Sequence, residues 1–322
     1  MKLAVFESRG RPRWTRLAAL LTALEKGRPE AEASVDELPV LYRQLCNDLA
    51  LARERELSSA LVAELNDLAL RGHRLLYQAR TGQWHQIGAF LARDFPRAVR
   101  REWRLLVLCS AIFYGLALGI GAVVYRTPDV IYSFMSEGSV QRFEEMYDPE
   151  GGVATEVRSA DDDARMFGFY IWNNVSIAFR TFASGLAFGV GTILSLVFNA
   201  FSFGLVAAHL VRVGSAQTFF GFVIAHSAFE LTAMLLAGVA GMRLGLALVA
   251  PGARTRLASL RGAARQSLPI LAGAGLMLVV AAGIEAFWSP RLLPPTVKYA
   301  AGAASWAIVV SWLSFSGRVS GD

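Results

Sequence analysis

The chain has 322 residues, 54% of them apolar and only 18% charged, and its mean hydropathy is +0.40. Soluble chains carry charge on about a quarter of their residues, so an ordinary water-soluble protein is excluded and a membrane protein is expected. The net charge of +6 is spread beside greasy stretches, where basic residues orient membrane segments, so the lipid bilayer and not nucleic acid is the expected partner.

The first 104 residues carry 18 Lys/Arg and 13 Asp/Glu, and Met1 to Leu17 is too charged to be the apolar core of a signal peptide. Ser34 followed by Glu37 has capping-box spacing. Leu38, Leu41, Leu45 and Leu49, then Leu57, Leu61, Leu65 and Leu68, recur every three or four residues with charge between them, which predicts long amphipathic helices. Trp84, Ile87, Phe90, Leu91 and Phe95 continue the pattern up to Pro96 and the basic run Arg97, Arg100, Arg101, Arg104. Residues 1–104 therefore read as a helical cytoplasmic domain.

Residues 105–125 hold no charge over 21 positions, enough to cross a hydrocarbon core of about 30 Å. The preceding arginines predict a cytoplasmic start, and residues 126–166, with ten acids against four bases, an acidic extracytoplasmic loop. Gly151-Gly152 and the run Asp161, Asp162, Asp163 read as part of a solvated loop, with a cation site as the lesser reading. Residues 167–242 contain only Arg180, Arg212 and Glu230 as charges, beside His209 and His226. Residues 243–265 hold five arginines and no acid, so this loop is expected in the cytoplasm. Residues 266–284 and 299–317 are each long enough to cross, and 318–322 form a tail. The sum is an all-α polytopic membrane protein with about six transmembrane helices; four to six fit if residues 167–180 are re-entrant or lie in the interface.

Gly115 and Gly119, Gly185 and Gly189, and Gly241 and Gly245 have GxxxG spacing, which lets helix backbones approach closely in lipid. They predict packing seams inside the bundle, or a homodimer face. Ionisable groups at membrane depth are costly and invite a functional reading. Glu230 stands four residues after His226, on one helical face. The competing readings are a polar clasp between helices, a proton or ion relay, and a catalytic or metal pair; HxxxE supplies only two ligands, so no metal is expected. Asn173, Asn174 and Arg180 form a second polar set in an aromatic segment, with Arg180 reaching the interface or pairing with Glu230. Asn199 is expected to hydrogen-bond across helices. Glu285 with Trp288 reads as a headgroup-level anchor. No CxxC or Cys/His cluster accompanies Cys46 and Cys109, and no nucleophile elbow, phosphate loop or serine triad is present, so neither cofactor nor catalytic residue is expected.

Asn173-Asn174, then Gly185, Gly189 and Thr192, Asn199 with Gly204, the run His226 to Leu231, and Ala237 to Gly245 appear in an order that resembles the stage II sporulation protein M family. The likeness runs from about Phe90 to Leu313 and includes Phe95-Pro96. The family more usually shows Asn-Gly at Asn199-Ala200 and His-Gly-xx-Glu at His226 to Glu230, a difference that bears on the backbone bend there. The resemblance implies an all-helical protein of the bacterial inner membrane, related to a septal peptidoglycan-remodelling subunit. It also implies, for members with a cytoplasmic helical region, MoxR-type AAA+ ATPases and von Willebrand factor A domain proteins as neighbours. It carries no catalytic residues. Together these readings predict a non-enzymatic membrane scaffold or complex subunit, a dimer, that recruits cytoplasmic partners. The alternative is a transporter, channel or lipid-translocating protein built on His226 and Glu230.

Overall fold

The computed structural model describes residues 3–26, 35–151 and 159–318, without the side chains of 3, 4, 35 and 77–85. Ser34, Gly152 and the side chain of Trp84 lie outside this range. The described residues form helices and no strand, in two compact units, Met1–Ala89 and Phe90–Asp322.

The first unit contains α1 (Leu3–Glu25), α2 (Leu38–Glu54) and α3 (Ser59–Ala89). Leu38, Leu45, Leu49, Leu61, Leu65 and Leu68 are buried, as their spacing predicts, and α1 completes the core with Phe6, Trp14, Leu17 and Leu21. Trp14 is 2% exposed, so its indole N–H needs a buried acceptor; it donates to Asp48 Oδ2 at 2.9 Å. Charged pairs rim this core: Arg16 with Glu37, and Arg71 with Glu25.

The second unit opens with a π-helical turn, Phe90–Asp94, and α4 (Phe95–Arg101). Pro96 stands at the start of α4, where its missing N–H costs little. Residues 90–101 pack within this unit: Phe95 is fully buried, its ring 5.2 Å from that of Trp312, and the Trp312 indole donates to Leu91 O. Then follow α5 (Trp103–Arg126), α6 (Glu137–Met146), α7 (Ala160–Ala183), α8 (Val190–Arg212), α9 (Ala216–Val249), α10 (Arg256–Phe287) and α11 (Pro295–Phe315). Among the described residues α5, α8, α9 and α10 are long and apolar enough to cross a membrane; α7 and α11, of 24 and 21 residues, complete the bundle. Residues 167–180 lie inside continuous α7.

The six long helices alternate in direction. At one end Arg243 bridges Glu102 and Gln266, and Arg97 and Arg100 donate to the carbonyls of Gly317 and Leu313. At the other end Arg212 donates to Tyr125 O and Arg291 to Asp163. Helix α9 packs against α5, α7, α8, α10 and α11, which is why it is apolar on all sides. The outer face is also apolar: Leu118 and Trp172 are each 74% exposed and Phe198 70%, a surface that lipid satisfies and water does not. This is an all-helical polytopic membrane protein.

Two stretches read as loops are largely structured. Residues 128–151 fold as a cap, with Ile131, Val140 and Tyr147 buried and Glu144 bonded to His209 at 2.6 Å. Asp161, Asp162 and Asp163 form the first turn of α7, where acids complement the helix dipole; Ser159 caps this turn by accepting from Asp162 N. In the Arg-rich segment α9 runs on to Val249 and α10 starts at Arg256, leaving only 250–255 as loop.

Candidate functional site

The polar core of the bundle is built on α9. His226 and Glu230, one helical turn apart, point from α9 toward the end of α10, and α9 runs through them without a break, so Ser227 costs no bend. His226 is 2% exposed, and its Nε2 lies 3.7 Å from Glu230 Oε2, too far for a hydrogen bond. Its Nδ1 shares a 3.1 Å hydrogen bond with Ser289 Oγ, whose carbonyl accepts from Lys298 Nζ at 3.0 Å. The ring of Phe222 packs edge-on at 5.7 Å.

Glu285, on the last turn of α10, brings a third group. A ligand atom from each of His226, Glu230 and Glu285 lies within 4.8 Å of the other two. In the sequence Glu285 reads as an anchor because it stands with Trp288 at a helix end, 55 positions from Glu230. The signal that could have found it is the one that singled out Glu230: Glu285 is the sole charge between Gln266 and Phe287.

Beside Glu230 lies a cavity of about 140 Å³ lined by Asn174, Asn199, Phe113, Phe203, Met234 and other apolar side chains. Asn174 is 5% exposed; its Oδ1 accepts from Asn173 at 2.9 Å and its Nδ2 has no partner among the described residues. Asn199 donates to Ser195 O at 2.7 Å, so the expected bond across helices is a bond within α8. Polar Ser, Thr and Asn groups in helices often turn back to the carbonyl four residues earlier, a local partner that needs no neighbour. Arg180 is not in the site. It is exposed on the last turn of α7 and donates to Ser176 O, because a guanidinium reaches the interface more cheaply than it desolvates beside Glu230.

The packing glycines divide. A Cβ on Gly185 or Gly245 would run into the backbone of Gly241 or of Gly189, and one on Gly204 into Ala117, so these form seams inside the bundle. Gly115 and Gly119 have open space at the Cβ position. A second polar cluster, Glu102, Arg243 and Gln266, ties α5, α9 and α10 at the basic end beside a pocket of about 430 Å³ that Arg254 also lines.

The alternating apolar helices around a small buried polar core define a multi-pass helical membrane protein. Residues 109–290 match the family described as Stage II sporulation protein M, which covers more than half of the chain, and the chain belongs to that family. Residues 4–78 match a second family, described as a domain of unknown function. An uncharacterized protein of Methanocaldococcus jannaschii is 28% identical over 79 residues, 24% of this chain and 44% of that relative, so the chain spans less than half the relative's length. No solved structure matches.

Proposed function

We propose that the chain is a non-enzymatic membrane scaffold whose bundle anchors it in a cytoplasmic membrane and whose amino-terminal helices recruit soluble partners. The observation that carries this reading is modularity. The first unit has its own apolar core and a charged surface, and a separate family match covers it, while the stage II sporulation protein M match falls wholly in the second unit. Helical units of this kind offer side-chain patches to partners without needing a cleft or a reactive group.

The arginines at the Arg97, Arg243 and Arg254 end support a cytoplasmic position for that end, by the positive-inside rule. MoxR-type AAA+ ATPases and von Willebrand factor A domain proteins are the first partners to look for, in envelope or peptidoglycan remodelling. Gly115 and Gly119 leave a GxxxG face for a second copy. Crosslinking and pull-down from native membranes with the full chain and with a chain lacking residues 1–89 tests the reading. The soluble proteins captured by the full chain are expected to vanish with the truncation while the bundle still inserts; undiminished capture would refute it.

A second reading rests on the buried His226, Glu230, Glu285 cluster and its adjoining cavity, which suit a translocation path. Flux of protons, ions or lipid in reconstituted vesicles, abolished by Glu230→Gln, would put transport in place of the scaffold.

A further inference from the structure

We propose that His226, Glu230 and Glu285 form a binding site for one divalent transition-metal ion of the zinc or manganese type. The inference goes beyond the scaffold reading and does not depend on it.

The donor set comes first. One imidazole nitrogen and two carboxylate oxygens, all within 4.8 Å of one another, are the ligand types that borderline cations select. Two donors around a tetrahedral zinc stand about 3.3 Å apart, given bonds of about 2.0–2.1 Å. The 3.7 Å between His226 Nε2 and Glu230 Oε2 is too long for a direct hydrogen bond and close to that edge, so an ion between them needs only a small side-chain adjustment. Three protein ligands leave at least one position for water or another ligand, the open arrangement of functional rather than structural sites.

The surroundings point the same way. Ser289 engages His226 Nδ1, which leaves Nε2 on the side of Glu230; metal-bound histidines are usually held through the other ring nitrogen in this manner. Charge balance adds a reason. Two carboxylates this close repel each other whenever both are ionised, and one divalent cation between them relieves that repulsion. The nearby ammonium of Lys298 donates to the Ser289 carbonyl.

An independent feature adjoins the cluster. Asn174, more than nine-tenths buried, lines the cavity beside Glu230, and its amide nitrogen has no partner among the described residues. An unpartnered amide N–H on a largely apolar cavity of about 140 Å³ that Glu230 also lines fits a donor to a water held beside that carboxylate.

The test uses the full chain in lipid nanodiscs, stripped with chelator and titrated with Zn²⁺ by calorimetry and with Co²⁺ by absorption spectroscopy. One ion per chain is expected, with a Co²⁺ spectrum of mixed nitrogen and oxygen coordination. Glu230→Gln and Glu285→Gln should each weaken binding at least about tenfold, and Ser289→Ala about 10-fold through the orientation of His226. Zn²⁺ should raise the melting temperature of the wild type and not that of Glu285→Gln, while metal-free melting reports whether each variant folds. For a variant that does not fold, the Co²⁺ spectrum of the wild type decides. No saturable uptake, binding of equal strength in Glu285→Gln, or a spectrum without nitrogen ligation overturns the proposal; in the first case the cluster holds protons instead.

Discussion

Asp163 is 1% exposed, and one guanidinium meets its carboxyl there: Arg291 Nη2 donates to its Oδ2 at 2.5 Å. The start of α7 adds favourable dipole, but the opposite oxygen has no partner among the described residues. Arg291→Ala is therefore expected to destabilise the bundle by about 2–3 kcal/mol, because it strands a buried carboxylate, and Asp163→Asn in the same chain should restore part of the loss. Thermal melting in detergent checks this; an unchanged midpoint for Arg291→Ala would mean that the pair is solvated. Neither partner announces itself in sequence, since Asp163 is one of three consecutive aspartates and Arg291 lies 128 positions away. The same holds within the candidate site. His226 and Glu230 share a helical turn and are legible from spacing, whereas Glu285 joins them only because α10 returns beside α9. Arg180 shows the reverse failure: a plausible opposite charge for Glu230 in a list of residues, but at the wrong end of its helix.

Helices pack here by bringing backbones together where a side chain would hold them apart. Gly185 and Gly189, in the turn from α7 to α8, lie against Gly241 and Gly245 of α9, and Thr192 Oγ1 and Ser184 Oγ both donate to Thr181 O beside the seam. Gly189 also has φ of 82°, a left-handed conformation that glycine adopts without strain. Gly241→Ala should thus cost about 1–3 kcal/mol, since its methyl would run into Thr192 Oγ1 and meet Thr181 O and Phe182 O at 2.9 and 3.0 Å. Gly115→Ala and Gly119→Ala, with open space at the added atom, should be neutral or stabilising by up to about 1 kcal/mol in the isolated chain. Melting midpoints of purified variants separate the two groups, and equal effects would contradict the seam. All three GxxxG pairs look alike along the chain. Which pair is internal depends on the facing helix, and a spacing rule carries no information about that.

Six helices of alternating direction put Arg97, Arg254 and Gly317 at one end and the 128–151 cap at the other. If the basic end faces the cytoplasm, as proposed, single cysteines at Glu54 and Arg254 should resist a membrane-impermeant maleimide on intact cells, while a cysteine at Glu145 in the cap should react. Labelling at Glu54 with protection at Glu145 would invert the topology and remove the scaffold reading. The helical class, the apolar segments and the basic and acidic flanks follow from the order of residues alone. Hydrophobic run length and charge bias are one-dimensional quantities, and a bilayer of fixed thickness reads them directly. The partnership of Glu285 with His226, the burial of Asp163, the folding of the acidic segment into a cap and the sorting of the glycines were decided in three dimensions. Each is a contact between segments far apart in the chain, and its energy depends on which helices become neighbours.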